Sequence, residues 1–192
     1  MASTVADHLL VHLVIIWLYL TLLMDVGSSL LIAQDYEPLS AFDNPIFTST
    51  SPRNFWGRKW NMQVSTSFKR CVFKPLMKSK LVPPTLAGIL TFTSSGLFHE
   101  YQFVLSFPTY TFGRISSFFV LQGLVCGLDN IATRAFGKSA FGSAFVALPD
   151  AVKAFIVVGI MSPTVPIFSR IWIDAGMFNM IASMVPLVSI VE

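Results

Sequence analysis

The sequence predicts an all-α, polytopic membrane protein, because 54% of its 192 residues are hydrophobic, only 12% are charged and the mean hydropathy is +0.67. The apolar residues gather into about five runs, and charge concentrates in one stretch instead of covering an outer surface as a water-soluble globule needs. Phe is unusually common, with eighteen copies. The chain reads as a single membrane domain over residues 1–192, without an internal repeat or low-complexity tract.

The first run extends from Leu9 through Met24 and past Asp25 to Ala33. About 25 residues at 1.5 Å each are enough to cross a hydrocarbon core of ~30 Å, which places Asp25 near one edge. Only Asp7 and His8 charge the preceding segment, so a retained helix is expected rather than a cleaved secretory leader.

Residues 34–82 are polar, Trp-bearing and broken by Pro38, Pro45, Pro52 and Pro75. They hold eight of the thirteen Lys and Arg against three acids, and such a length predicts short amphipathic pieces lying in the membrane interface. A basic segment between hydrophobic runs points to a cytosolic loop close to anionic lipid or to a phosphate-bearing ligand. Nothing resembles a nucleic-acid recognition module, and none is expected as a partner.

A second span is predicted over about Thr85 to Phe107, closed by Pro108. A third runs from about Ile115 to Leu128 or slightly beyond, ending in Asp129 and Asn130. A fourth covers about Ala151 to Ile173 and should kink at Pro163 and Pro166. The fifth, residues 176–191, is expected to be abbreviated or tilted. With the basic stretch cytosolic, Arg134 and Lys138 also fall on that side, although Arg114 and Arg170 fall opposite.

His99 and Glu100 interrupt the second span well inside its ends. Ionisable residues at that depth are costly and face a cavity or a partner, which makes His99 a functional candidate. Gly88, Thr91, Ser95, His99, Gln102 and Ser106 recur at spacings of three and four on one helical face. That stripe either admits a neighbouring helix or lines a hydrated passage where substrates meet, with Ser95 and Gln102 then in contact with them. Glu100 lies about 100° around the helix and forms no dyad with His99; it pairs elsewhere or holds structure. Gly123 and Gly127 permit close helix packing in the third span.

Cys71 and Cys126 lie 55 residues apart without a CxxC pattern and read as packing residues. His8, His12 and His99 have no metal-ligand spacing, so no metal is expected.

The remaining signal is the string from Asn54 to Asn61, in which Trp56, Arg58, Lys59, Trp60 and Asn61 crowd together. By composition it is an interfacial anchor with snorkelling cations. Taken with Ser-Gly-Leu-Phe-His-Glu at residues 95–100, however, it resembles the paired signature of the wax synthase (long-chain-alcohol O-fatty-acyltransferase) branch of the membrane-bound O-acyltransferases. The resemblance is strongest over residues 44–107 and is to the C-terminal half of such enzymes.

That resemblance implies an acyl-CoA-dependent transfer to a lipid alcohol (a fatty alcohol, sterol or diacylglycerol), with no bound cofactor and acyl-CoA as co-substrate. It implies residence in the endoplasmic reticulum, His99 and Asn61 as the catalytic pair, and Trp56 and Trp60 beside the thioester. Arg58 and Lys59, with Lys69 and Arg70, either attract coenzyme A phosphates or form a solvated face. Two other readings fit the same residues: a truncated, non-catalytic membrane protein, and a proton-coupled transporter using Asp25, His99 and Glu100. Self-association into a homo-oligomer is left open.

Overall fold

A computed structural model describes residues 13–107, 110–174 and 176. The predicted fifth span, the start of the first, and His8 and His12 lie outside the described residues.

Helix α1 (Leu13–Ile32) is a twenty-residue apolar run. Only 6% of its apolar window is buried within the chain, so its side chains face outward, as a lipid-solvated helix requires. Thr21 and Ser29 donate their hydroxyls to the carbonyls of Trp17 and Asp25, which satisfies them without a partner helix. Asp25 sits seven residues before the helix end, inside the run and not at its edge, because the helix continues through Gly27, Ser28 and Ser29.

The basic stretch folds into short helices as expected: α2 (Pro45–Thr48), α3 (Pro52–Asn54), α4 (Met62–Phe68) and α5 (Lys74–Ser79). Residues Phe55–Lys59 and Lys69–Phe73 form wider π-helical turns between them. Local capping explains the breaks. Ser51 accepts from the Asn54 backbone and Asn54 Oδ1 accepts from the Thr50 backbone, a reciprocal pair that starts α3 in front of Pro52. Asn44 and Asn61 both take the left-handed conformation (φ 46° and 40°) that asparagine tolerates best among residues with a side chain. The strand-like strap before α2 is tied down by Met62 donating to the Ala41 carbonyl at 2.7 Å and Asp43 to the Lys59 carbonyl at 3.0 Å.

Helices α6 (Pro84–Ser106) and α7 (Arg114–Phe136) pair as an antiparallel hairpin. Their seam is built on missing side chains. A Cβ on Gly123 would stand 2.9 Å from the Phe92 Cβ, and one on Gly96 would stand 3.1 Å from the Ser116 backbone, so both must be glycine for the axes to approach this closely. The predicted third span therefore packs through its glycines, and it runs past Leu128 to Phe136. Asp129 and Asn130 do not stop it because Arg53 and Thr85 hold their side chains.

The turn of the hairpin is organised by Glu100, which is 1% exposed. Its carboxylate accepts from the Tyr110 hydroxyl (2.6 Å), the Ser116 backbone and hydroxyl (2.7 Å each) and the Gly113 backbone. It thus caps the positive end of α7, and no cation among the described residues pairs with it. Gly113 has φ 95°, a conformation that lets its N–H point back to the carboxylate. Burial, together with the bond to Glu100, pushes the Tyr110 phenol up to about 12, so the hydroxyl remains a donor throughout the physiological range.

Beyond α7 the chain forms α8 (Ala140–Ala147), which the hydropathy pattern did not suggest, then α9 (Asp150–Met161), a 3₁₀ turn (Ser162–Thr164) and α10 (Val165–Asp174). The break at Pro163 is the kink the prolines predict. Phe103, Ile115, Phe118, Phe119 and Ile171 form one core between the hairpin and α10. Phe55, Val157 and Met161 form a second between the first π-turn and α9.

Among the described residues, three helical stretches are long and apolar enough to cross a membrane: Val14–Ile32, Arg114–Phe136 and Asp150–Asp174. Helix α6 has the length, but His99, Glu100 and Gln102 lower its hydropathy. The class is therefore all-α and membrane-integral, and five spans are not reached among these residues.

Removing the carboxylate by Glu100→Ala strands two backbone donors and two hydroxyls at the hairpin turn, and should destabilise the fold by about 3 kcal/mol or more. Denaturation in mild detergent measures it; a variant that unfolds at the wild-type midpoint contradicts this account of the hairpin.

Candidate active site

A cavity of about 480 Å³ opens between the α6–α7 hairpin and the folded basic segment. One wall is the α6 stripe of Gly88, Thr91, Ser95 and His99; the facing wall is the Trp56–Asn61 string with Val64, Phe68 and Lys69 from α4 and its continuation. Six of the sequence-predicted site residues meet there: His99, Asn61, Trp56, Arg58, Trp60 and Ser95.

Two do not. Lys59 is drawn away by Asp43, with Nζ 2.5 Å from the carboxylate, and forms part of the strap. Gln102 is exposed one turn beyond His99, because the basic segment covers only the first part of the stripe and leaves this end of α6 uncovered.

His99 is fixed by its own helix. Its Nδ1 lies 2.7 Å from the Ser95 carbonyl oxygen, which can only accept, so Nδ1 carries a proton and, in the neutral ring, Nε2 keeps its lone pair. The ring stacks on Phe119 (centroids 4.5 Å, planes 26° apart) and meets Phe98 edge-on, which holds it against rotation.

Asn61 is fixed by its cap role. Oδ1 accepts from the Val64 backbone at 3.3 Å, which leaves the Nδ2 amino group, a donor, with no partner among the described residues. A base with a free lone pair and an amide with free donors therefore share one cavity. In chemical terms that pair can take a proton from one group and hydrogen-bond the oxygen of another.

The aromatic string is locked by groups the sequence reading had not singled out. The Trp56 indole donates to Gln122 Oε1 at 3.1 Å, and Gln122, 1% exposed, passes its Nε2 to the Thr164 hydroxyl at 2.5 Å. Trp56 also packs edge-on against Phe92 and Phe118. Arg53 spreads over α7, with Nε 2.6 Å from Asp129 and its two other nitrogens on Asn130 and Thr133. Gln122, an amide inside an apolar span, was visible as an intramembrane polar residue; the partner of Arg53, 76 positions away, was not. Cys126 is buried and lines the cavity, consistent with packing, whereas Cys71 is exposed on the basic segment. No group of three or more potential metal ligands exists among the described residues.

Residues 38–121 match the family described as "Membrane bound O-acyl transferase family". The chain is 31% identical over 130 residues to a probable long-chain-alcohol O-fatty-acyltransferase 7 of Arabidopsis thaliana, covering 61% of this chain and 37% of that protein. It is 33% identical to the probable enzyme 8 of the same plant (69% and 42%), and 31% identical to the long-chain-alcohol O-fatty-acyltransferase of Simmondsia chinensis (49% and 28%). The matched stretch spans less than half the length of these curated relatives.

Gln122→Leu leaves the Trp56 N–H without its acceptor and removes the bond the Thr164 hydroxyl accepts, while that hydroxyl still donates to the Met161 carbonyl, and should cost about 2 kcal/mol in detergent unfolding. Adding Trp56→Phe should recover part of it, with a coupling of about 1 kcal/mol in the double-mutant cycle. Strictly additive losses are incompatible with the bridge.

Proposed function

From the kinship of this chain with the membrane bound O-acyl transferases, we propose that it carries the reaction centre of an acyl-CoA-dependent O-acyltransferase that esterifies a lipid alcohol, with long-chain fatty alcohols the first acceptors to test. The single observation that supports this most is the cavity shared by His99, with its free Nε2, and Asn61, with its free Nδ2.

In this reading Nε2 takes the proton of the alcohol as its oxygen attacks the thioester carbonyl carbon. Negative charge gathers on the former carbonyl oxygen, where the Asn61 amide, a neutral donor already held by its cap bond, stabilises it. Collapse forms the ester and breaks the carbon–sulfur bond, and the imidazolium returns the proton to the departing thiolate. The acceptor and acyl chain lie along the apolar wall of Trp56, Trp60 and Phe92, and the phosphates of coenzyme A are held by Arg58, Lys69 and Arg134 at the cavity rim. The basic segment then faces the cytosol, where acyl-CoA is supplied, and the endoplasmic reticulum is the membrane we propose.

Membranes containing the chain, given labelled acyl-CoA and in turn a long-chain alcohol, diacylglycerol and a sterol, test the reaction and the acceptor class together. Ester formation should fall by about 10² to 10⁴ in His99→Ala, the usual contribution of a general base, and by about 10² or more in Asn61→Ala. Ester made at the wild-type rate by the His99 variant would overturn the assignment. Wild-type membranes that form no ester would favour a non-catalytic role for this stretch of the family.

A further inference from the structure

Four glycines lie within α6 and α7, although glycine is a poor helix former. Three have a packing reason. A Cβ would come within 3.0 Å of Phe119 at Gly96, 2.9 Å of Phe92 at Gly123 and 3.2 Å of Thr85 at Gly127. Gly88 has none: a Cβ there meets no heavy atom of the described residues within 4 Å. The backbone at Gly88 is ordinary helix, so no positive φ calls for glycine either. Gly123 and Gly127 line the cavity as well, but of these three only at Gly88 would a side chain meet open cavity instead of a packed neighbour.

Gly88 lies on the same face of α6 as His99, eleven residues earlier, which is three turns or about 16 Å along the axis. Less than one turn beyond it in the other direction is Thr85, whose hydroxyl is held by Asn130. Arg134 lines the cavity at that end, beside Arg53, whose charge is paired with Asp129. Gly88 therefore stands between a cationic end and the imidazole.

We propose that Gly88 sets the bore of the donor passage: its missing side chain leaves open the path along which the phosphorylated arm of the thioester reaches from the cations at Arg134 to His99. The inference rests on the acyl-transfer reading above and adds a residue to it. Gly88 touches no reacting atom, and the arm it admits is common to every acyl-CoA. A side chain at this point obstructs donor binding and leaves the chemical step and the choice of acyl chain alone.

The test compares wild type with Gly88→Ala and Gly88→Phe, using short and long acyl-CoA donors and one saturating alcohol. Gly88→Phe should raise KM roughly tenfold or more for both donors, with kcat unchanged, and Gly88→Ala should lie between it and wild type. An unaltered KM overturns the proposal, and so does a KM increase confined to one chain length or a loss in kcat alone. Gly88→Leu, read in the same way, replaces the Phe variant if that one does not fold. Should wild type form no ester, the acyl-transfer reading fails by itself, and equilibrium binding of a non-transferable thioether analogue of acyl-CoA still decides the passage. Weaker binding to Gly88→Phe supports it, and equal binding ends it.

Discussion

One buried carboxylate fixes the geometry on which the rest depends. Glu100 sits where α6 ends and α7 begins, and taking its charge out of water is costly unless its oxygens are fully occupied. Four donors occupy them, two from backbone N–H groups and two from the hydroxyls of Tyr110 and Ser116. Because those donors belong to the turn and the first residues of α7, the carboxylate sets the register of the two helices. With that register fixed, Gly96 meets Ser116 and Phe119, and Phe92 meets Gly123. The same register places Phe119 under the His99 ring. The orientation of the imidazole is thus a consequence of how its sequence neighbour is capped.

The second half of the cavity is held by a different device. The basic segment has too few apolar residues to form a core of its own, and it is secured at points along its length. Arg53 grips the far end of α7, Trp56 is bridged through Gln122 to Thr164, and Phe55 inserts between Val157 and Met161. In a low-dielectric setting such polar links are worth more than at a water-exposed surface, and each is costly if left half made. The outer faces show the complementary pattern: Leu22, Leu30, Leu105 and Leu128 are all more than 60% exposed, as lipid-facing positions are.

Much of this was legible in the sequence because local rules governed it. The limits of α6 follow from Pro84 and Pro108, the stripe from its spacing of three and four, and the break between α9 and α10 from Pro163. The short helices of the basic segment follow from its serine, asparagine and proline caps. What could not be read were the long-range pairings. Nothing local says that Arg53 closes on Asp129, so the third span was expected to stop where those polar residues begin. Nor does composition say that Lys59 pairs with Asp43 while Arg58, its neighbour, remains at the cavity. Gln102 shares the stripe of His99, but only the reach of the facing wall decides where a stripe ceases to line the cavity.

His99 and Glu100 illustrate why adjacency in sequence is a poor guide to partnership in a helix. About 100° of rotation sends one side chain into the cavity and the other into the hairpin turn. A relay of protons between them would require Glu100 to release donors that already satisfy both of its oxygens. A path through Asp25 would require contact with α1, most of whose surface faces away from the rest of the chain. The carboxylate is therefore committed to structure, and the imidazole, whose only hydrogen bond among the described residues leaves Nε2 free, is the group available for chemistry. Rigid support from one residue and an uncommitted lone pair on the next are what the general base proposed above requires.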